Sequence, residues 1–287
     1  MNKSDVTLVY IHKHALFPVN YAAEHAARAG YRVVVIGEAE WNFRGCETYS
    51  RTDYDDGCED FRATYIHMGP NAPDYEAFCF ERWFILRNFM REHDLRNVIY
   101  VDSDALVYDG IEAIADIADG GFLDTPYINY FNSVEHLDLI TSEIEKTFSD
   151  PDAHAAEVGT GRTGIRYYSD MLLFPQLARK FPDRVRKWER DMETHGFDKN
   201  INLVGDFESH SDTRSGVKDV RLQGAVPVGR TGDGTEQSFR FLHFQGFSKP
   251  LMQFYLLPPL DGYSGNWWPD PVKDEVVVAY ENLKEAR

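Results

Sequence analysis

Cysteine is scarce in this sequence: three residues, Cys46, Cys58 and Cys79, occur among 287. Their number and irregular spacing exclude the paired framework of a disulfide-rich domain and the regular pattern of a zinc ribbon. A chain of this length depends on neither, because it can bury a substantial core as one large domain or two small ones. No linker-like stretch divides it, so we expect one globular domain stabilised by packing.

Basic residues are also few. The chain has 30 Lys and Arg against 47 Asp and Glu, which gives a formal net charge of −17. Nucleic acids and anionic lipids are bound through basic surfaces, so this balance argues against a general affinity for either. An anionic substrate would need a local cation, either a metal ion or a few well-placed Lys and Arg side chains.

Long apolar runs are missing as well. The start of the chain leads only into the apolar run 6–11, which is too short for the core of a signal peptide or for a membrane span. We therefore expect a cytoplasmic protein without stable membrane insertion.

An α/β pattern opens the chain. A strand at 6–11, an alanine-rich helix at 15–29 ending before Gly30, and a second strand at 32–37 form a right-handed βαβ unit. This unit is the common start of a nucleotide-binding α/β fold. The first connection lacks the Gly-x-Gly-x-x-Gly fingerprint, so a dinucleotide is not indicated.

The rest of the chain alternates between helical and irregular patterns. We predict an extended loop over 38–62, a short strand over 63–67, helices over 76–94, 111–118, 136–148 and 177–193, a glycine-bearing segment over 151–166, and an irregular aromatic stretch over 120–134. Asn129 and its aromatic neighbours in that last stretch suit either a sugar or base platform or an ordinary core edge. A Gly/Pro-rich loop with Tyr263, Trp267 and Trp268, and then a helix over 272–285, are expected to form a lid and a C-terminal brace.

An acidic triplet follows the most strand-like run of the chain. Val98–Val101 leads into Asp102-Ser103-Asp104, and apolar residues then resume. Two carboxylates that emerge where a buried strand meets solvent can act together on one cation or one sugar phosphate. An acidic turn that merely ends a strand is the alternative, because Asp-x-Asp triplets are common in so acidic a chain.

Arg82 lies within the apolar face of the 76–94 helix. A buried guanidinium must be paired or contact a ligand, because its burial alone is prohibitively unfavourable. The helix leads directly into the strand that ends at Asp102, so that carboxylate is the natural partner. The alternative is that Arg82 reaches solvent or forms a purely structural ion pair.

Further polar residues stand at the ends of apolar runs. The stretch 241–250, Phe-Leu-His-Phe-Gln-Gly-Phe-Ser-Lys-Pro, places His243 after a strand-like run, Gly246 where backbone can approach a ligand, and Lys249 before a rigid proline. Asp170 begins an apolar run as either a helix N-cap or a site carboxylate. Asp206 ends another short run.

These pieces, in this order, resemble the metal-dependent nucleotide-sugar glycosyltransferases of the GT-A fold. The late motif is similar to the His-x-x-Gly-x-x-Lys-Pro of glycosyltransferase family 8, which includes glycogenin and bacterial lipopolysaccharide galactosyltransferases. The resemblance implies a Rossmann-type α/β fold with a mixed, mostly parallel sheet and helices on both faces. It also implies a nucleotide-binding half over 1–110, an acceptor and donor-sugar half over 111–250, and a lid with a helix over 251–287.

The same resemblance implies roles for individual residues. Asp102, Asp104 and His243 would bind Mn²⁺ or Mg²⁺, Asp102 and Ser103 would also contact the donor, and Lys249 with Gly246 would hold the diphosphate. His12 would lie near the base, with uridine favoured, and Arg82 would support Asp102 or contact the donor. The acceptor would be a glycan or a lipid-linked glycan.

The chain departs from family 8 where an Asp-Gln pair is usual, because Ser169-Asp170-Met171 stands there. We expect retention of anomeric configuration. An inverting enzyme would need a carboxylate to take the acceptor proton, for which Asp170 and Asp206 are candidates. Two other classes fit parts of the pattern: a haloacid-dehalogenase-like Mg²⁺ phosphatase, and a non-catalytic carbohydrate-binding protein.

Overall fold

The computed structural model of the protein describes residues 1–14, 17–150, 159–160, 166–188, 192, 194–209 and 217–256. Its helices are α1 (Val19–Arg28), α2 (Cys58–Thr64), α3 (Pro73–Glu92), α4 (Ile114–Ala118), α5 (Glu135–Ser149) and α6 (Asp170–Lys180), with short 3₁₀ helices at Lys3–Asp5, Arg51–Asp53 and Ile111–Ala113 and a longer one at Gly246–Tyr255. Its strands are β1 (Thr7–Ile11), β2 (Arg32–Gly37), β3 (Glu47–Ser50), β4 (Val98–Val101), β5 (Ala105–Val107), β6 (Phe122–Leu123), β7 (Ile128–Phe131), β8 (Gly159–Thr160), β9 (Arg166–Tyr167), β10 (Val185–Arg186), β11 (Val220–Gln223), β12 (Val226–Arg230), β13 (Glu236–Ser238) and β14 (Phe241–His243).

A five-stranded sheet in the order β3-β2-β1-β4-β7 forms the centre of the protein. The three contacts among β3, β2, β1 and β4 are parallel, and β7 is antiparallel to β4 at the edge. The opening βαβ unit is present, with β1 and β2 paired in parallel on either side of α1 in sequence. The predicted mixed, mostly parallel sheet is confirmed.

Both faces of this sheet are covered. In β1, Leu8 and Tyr10 pack with α1 on one face, whereas Val9 and Ile11 pack with α2, α3 and α5 on the other. Strands buried on both faces are apolar at every position, which is why β1, β2 and β4 were visible as continuous apolar runs. Helices on both faces of the sheet are confirmed.

The strand predicted over 63–67 is wrong. Those residues are the end of α2 and the coil after it, and the outer parallel strand is β3, within the predicted loop. β3 reads Glu-Thr-Tyr-Ser and is half-buried along its length. An edge strand with so little apolar content carries no hydrophobic pattern from which to predict it.

The helix predicted over 177–193 is also wrong in its bounds. α6 begins at Asp170 and ends at Lys180, and β10 pairs with β6 soon afterwards. Phe181 precedes Pro182, and a residue before proline is disfavoured in the helical conformation, so the helix stops there. The stretch predicted as irregular over 120–134 contains β6 and β7.

The lid with Tyr263, Trp267 and Trp268 and the helix over 272–285 lie outside the described residues, as does most of the segment 151–166. None of the helices in the described part of the chain combines the length and hydropathy that crossing a bilayer requires.

Candidate active site

The acidic triplet forms a tight turn between β4 and β5. The Ala105 amide donates to the Asp102 carbonyl at 3.2 Å, and the Asp102 amide donates to the Tyr127 carbonyl at 2.8 Å. The turn follows the carboxyl end of β4, where an open α/β sheet presents its ligand site. Both carboxylates line the same cavity.

Strand β14 brings His243 to this turn from far along the chain. It pairs antiparallel with β5 so that His243 lies opposite Ala105, and the Phe244 amide donates to the Asp104 carbonyl at 2.8 Å. His243 Nε2 then lies 3.4 Å from Asp104 Oδ1. Lys249 approaches from the 3₁₀ helix that follows, with its Nζ 3.1 Å from Asp104 Oδ2.

Asp102, Asp104 and His243 can share one metal ion, because a ligand atom from each lies within 4.8 Å of the other two. His243 Nδ1 is 2.8 Å from the Lys199 carbonyl, so in the neutral imidazole Nδ1 carries the proton and Nε2 presents its lone pair toward Asp104. Two carboxylates and one oriented imidazole suit Mn²⁺, with Mg²⁺ as the harder alternative. The residues therefore fit the metal that the sequence pattern implied.

The charges of this cluster are strongly coupled. Burial alone would raise the pKa of Asp104, but the hydrogen bond and charge of His243, followed by those of Lys249, hold it below its usual range. Burial would lower the pKa of His243, but the hydrogen bond and charge of Asp104 raise it overall. Without a metal, the cluster is an ion-pair network built around Asp104.

Arg82 connects this cluster to α6. One terminal nitrogen donates to Asp102 Oδ1 at 2.5 Å and to the Tyr100 hydroxyl at 2.7 Å. The other donates to Asp170 Oδ2 at 2.5 Å and to the Pro126 carbonyl at 3.3 Å. The expected partnership with Asp102 is thus present, and a second carboxylate shares the same guanidinium.

Asp170 is a buried acid whose pKa is raised. Burial raises its pKa to about 6, and the nearby Asp102 charge also raises it while Arg82 opposes the shift. Ser169 precedes the helix, so Asp170 is its first residue and not its N-cap, and Asp170 lines the cavity.

The cavity that these groups share has a volume of about 350 Å³. It is lined by Asn71, Tyr75, Glu76, Cys79, Arg82, Asp102, Asp104, Tyr127, Ser169, Asp170, Met171, His243, Gln245, Gly246 and Lys249. Four carboxylates therefore share the cavity with Arg82, Lys249 and the imidazole of His243. The cavity lining carries a net negative charge unless a cation enters the cavity.

Of the remaining predicted site residues, Gly246 lines this cavity, whereas Ser103, His12 and Asp206 do not. Gly246 lines it and has a φ of +67°, a conformation that glycine adopts readily. Ser103 lies in the acidic turn but does not line the cavity. His12 follows β1 and stacks on Trp41, with ring centroids 6.1 Å apart. Asp206 lines a separate cavity with Thr231 and Asp233 and is not among the residues that line this one.

The proposed sugar platform around Asn129 is part of the sheet. Asn129 is fully buried, and its side chain bonds the backbone of Leu123 and Thr125. These contacts favour the core-edge alternative. Of that stretch, Tyr127 lines the cavity, and its ring stacks on His243 with centroids 4.6 Å apart.

A buried ion pair behind β14 was missed from the sequence. Lys218 Nζ lies 2.5 Å from Asp198 Oδ1, and the two side chains are 1% and 0% exposed. Asp198 Oδ2 also accepts the His243 amide at 3.3 Å. The pair therefore supports the backbone that presents His243 and the neighbouring Lys199 carbonyl.

Comparison with known proteins gives weak similarity. No protein-family model and no curated protein matches the sequence. Among solved structures, the protein is similar to mouse xyloside xylosyltransferase 1 in its apo form, with a TM-score of 0.40 and 11% identity over 63% of this chain and 84% of that one. Glycosyltransferase GlyE of Streptococcus pneumoniae TIGR4 gives 0.38 and 11%, and its apo form 0.39 and 13%, both over 70% of this chain and 48% of that one. This chain thus spans about half the length of GlyE, and likeness at this level assigns no function.

Proposed function

We propose that the protein is a metal-dependent glycosyltransferase. It would move a sugar from a nucleoside-diphosphate sugar, with UDP favoured by the motif resemblance, to a hydroxyl group of a glycan or a lipid-linked glycan, with retention of configuration. The observation that carries the proposal is the convergence of Asp102, Asp104 and His243 within 4.8 Å, beside Lys249 and at the wall of one cavity.

The charge of the cavity supports a requirement for metal. A diphosphate would enter a space with four carboxylates against Arg82 and Lys249, and repulsion would oppose its binding. A divalent ion held by the three ligands would supply the positive charge that the diphosphate needs, both in binding and as negative charge grows on the leaving group.

The chain's own residues have distinct parts in this proposal. Lys249 can exchange its contact with Asp104 for a diphosphate oxygen, because its side chain is 36% exposed and long enough to turn. Arg82 fixes the orientation of Asp102 and Asp170. Asp170, with its pKa raised to about 6 by burial, is suited to exchange a proton near neutral pH.

The test is turnover by a variant that loses one metal ligand but keeps its shape. Asp104→Asn should lower Mn²⁺-dependent release of nucleoside diphosphate from a nucleotide sugar by more than about a hundredfold, since even groups that only orient metal ligands are worth up to about that factor. Thermal melting should show that the variant folds. Asp109→Asn, which changes an exposed aspartate that follows β5 and pairs with Lys3, is the matched control. An Asp104→Asn variant with full metal-dependent activity would refute the proposal.

A further inference from the structure

Glu76 is a buried cavity carboxylate that the proposed metal site does not use. It belongs to the first turn of α3 and is 2% exposed. Its Oε1 accepts a hydrogen bond from Asn71 Nδ2 at 2.5 Å. The loop before the helix is folded tightly against it, because a Cβ at Gly69 would lie 2.7 Å from Oε1.

Glu76 differs from the other three carboxylates of the cavity. Asp102 and Asp170 share Arg82, and Asp104 pairs with Lys249 and His243. No Lys, Arg or His among the described residues forms an ion pair with Glu76. A carboxylate removed from water without a cation depends on hydrogen-bond donors for its stability, and here the protein supplies the amide of Asn71. A ligand in the cavity can supply further donors to this carboxylate.

The surroundings of Glu76 are those that a sugar ring requires. Asn71 offers an amide, Tyr75 is 56% exposed and Met171 is 41% exposed, and all three line the same cavity. Carboxylates and amides bond hydroxyl groups, while an aromatic ring and a thioether cover the apolar face of a pyranose. Among the described residues that line the cavity, Arg82 and Lys249 are the Lys and Arg side chains, and two carboxylates already pair with Arg82.

Resting on the proposed function, we infer that Glu76 and Asn71 bind hydroxyl groups of the transferred sugar, and that Glu76 restricts the donor to neutral sugars. The sugar is bonded directly to the diphosphate, so it lies next along the cavity from Asp104 and Lys249. A sugar that carries a carboxylate at C6 would place a second negative charge near Glu76, which is paired with no cation among the described residues, and such like-charge contacts are strongly unfavourable.

The experiment compares donors that differ only at C6. Titrations with Mn²⁺ of UDP, UDP-glucose, UDP-xylose and UDP-glucuronic acid should show that the wild-type protein binds the two neutral donors at least about tenfold more tightly than the glucuronate. The GDP-linked neutral and uronic acid donors replace them if GDP is the nucleotide that binds.

The variant Glu76→Gln keeps the shape and the Asn71 contact but removes the charge. It should narrow the preference for UDP-glucose over UDP-glucuronic acid by about tenfold while the Kd of UDP stays unchanged. Asp74→Asn is the matched control, because Asp74 lies in the same helical turn, is exposed and pairs with Arg62 outside the cavity. It should leave the preference as in the wild type.

The outcomes separate the two proposals. Tight UDP binding with equal affinity for the glucuronate and glucose donors would overturn the role of Glu76 alone, and this result needs no variant to fold. An unchanged preference in a folded Glu76→Gln variant would overturn it as well. Failure of both UDP and GDP to bind with Mn²⁺ would overturn the proposed function itself.

Discussion

At the scale of single residues, Asp104 is the point where the charges of the site meet. It contacts an imidazole through one oxygen and an ammonium through the other, and its own neighbour Asp102 is held by Arg82. A metal that binds Asp104 must therefore compete with a proton on His243 and with the charge of Lys249. Two predictions follow from this competition.

Metal affinity should fall as the pH is lowered. The pKa of His243 is raised in the folded protein, because the effect of Asp104 outweighs that of burial. The imidazolium therefore stabilises the metal-free fold at a pH below the unfolded pKa of about 6.5. This contribution is lost as the pH rises through the folded pKa. A metal ion binds the imidazole of His243 only when the imidazole is neutral. The Mn²⁺ affinity should thus drop by up to about tenfold per pH unit below the folded pKa, as measured by titration between about pH 5 and pH 8. His243→Gln should bind Mn²⁺ weakly without this slope; an unchanged slope would exclude His243 as the titrating ligand.

Lys249→Ala should separate metal binding from diphosphate binding. Removing the ammonium takes away a competitor for Asp104, so the Kd of Mn²⁺ alone should stay the same or become lower. The Kd of UDP in the presence of Mn²⁺ should rise by about tenfold or more, because a charge-assisted bond to phosphate is lost. Parallel titrations of the metal and of the nucleotide test this split. A variant that binds UDP as tightly as the wild type would show that Lys249 does not hold the diphosphate.

Residue-level prediction from sequence succeeded where the signal was local. Asp102 and Asp104 follow a buried strand, and Arg82 stands inside an apolar helical face, so both patterns pointed to the cavity. Glu76 was missed although it lies two helical turns before Trp83, in nearly the same direction as that fully buried side chain. The same helical projection that singled out Arg82 could have found it.

At the scale of elements, the short strand β14 carries His243 to the acidic turn. Nothing local in a three-residue strand indicates that it pairs with β5, since the partners are far apart in sequence and the pairing depends on the whole domain. The motif resemblance supplied His243, but not the support behind it. The Asp198–Lys218 pair could not be predicted from local sequence patterns either, because it joins two segments that lack regular secondary structure.

Breaking this buried pair should destabilise the protein. Lys218→Met leaves the carboxylate of Asp198 buried without its cation, which typically costs about 3–5 kcal/mol in the free energy of unfolding. Asp198 would then tend to be protonated, because burial already raises its pKa. Urea denaturation measures the loss.

An exposed pair provides the comparison. Arg230 and Glu236 lie 3.3 Å apart with side chains 55% and 50% exposed, so Arg230→Met should cost less than about 1 kcal/mol. If Lys218→Met cost no more than Arg230→Met, the pair would not be a support of β14.

At the scale of the whole molecule, the sheet was predictable and its edges were not. Strands buried on both faces show continuous apolar runs, so β1, β2 and β4 could be located, and the βαβ rule set their order. The half-buried β3 and the bounds of α6 depended on tertiary contacts and on Pro182. Asp206 ends an apolar run as Asp102 does, yet it lines a different cavity, because only one of these runs is a strand of the central sheet.

The acidity of the whole chain also has a local meaning. With a net charge of −17 and a cavity rich in carboxylates, we propose that the protein binds an anionic nucleotide together with a cation. The central claim is therefore that the Asp102, Asp104 and His243 cluster binds a divalent ion and that this ion enables a nucleoside diphosphate to bind.

Isothermal titration of the purified protein with UDP and with GDP, each in the presence of Mn²⁺ and of EDTA, tests this claim most directly. We expect one of the two nucleotides to bind with a Kd in the micromolar range, about −8 kcal/mol, when Mn²⁺ is present, and to show no binding in EDTA. Binding of neither nucleotide, or equal binding with and without the metal, would contradict the account.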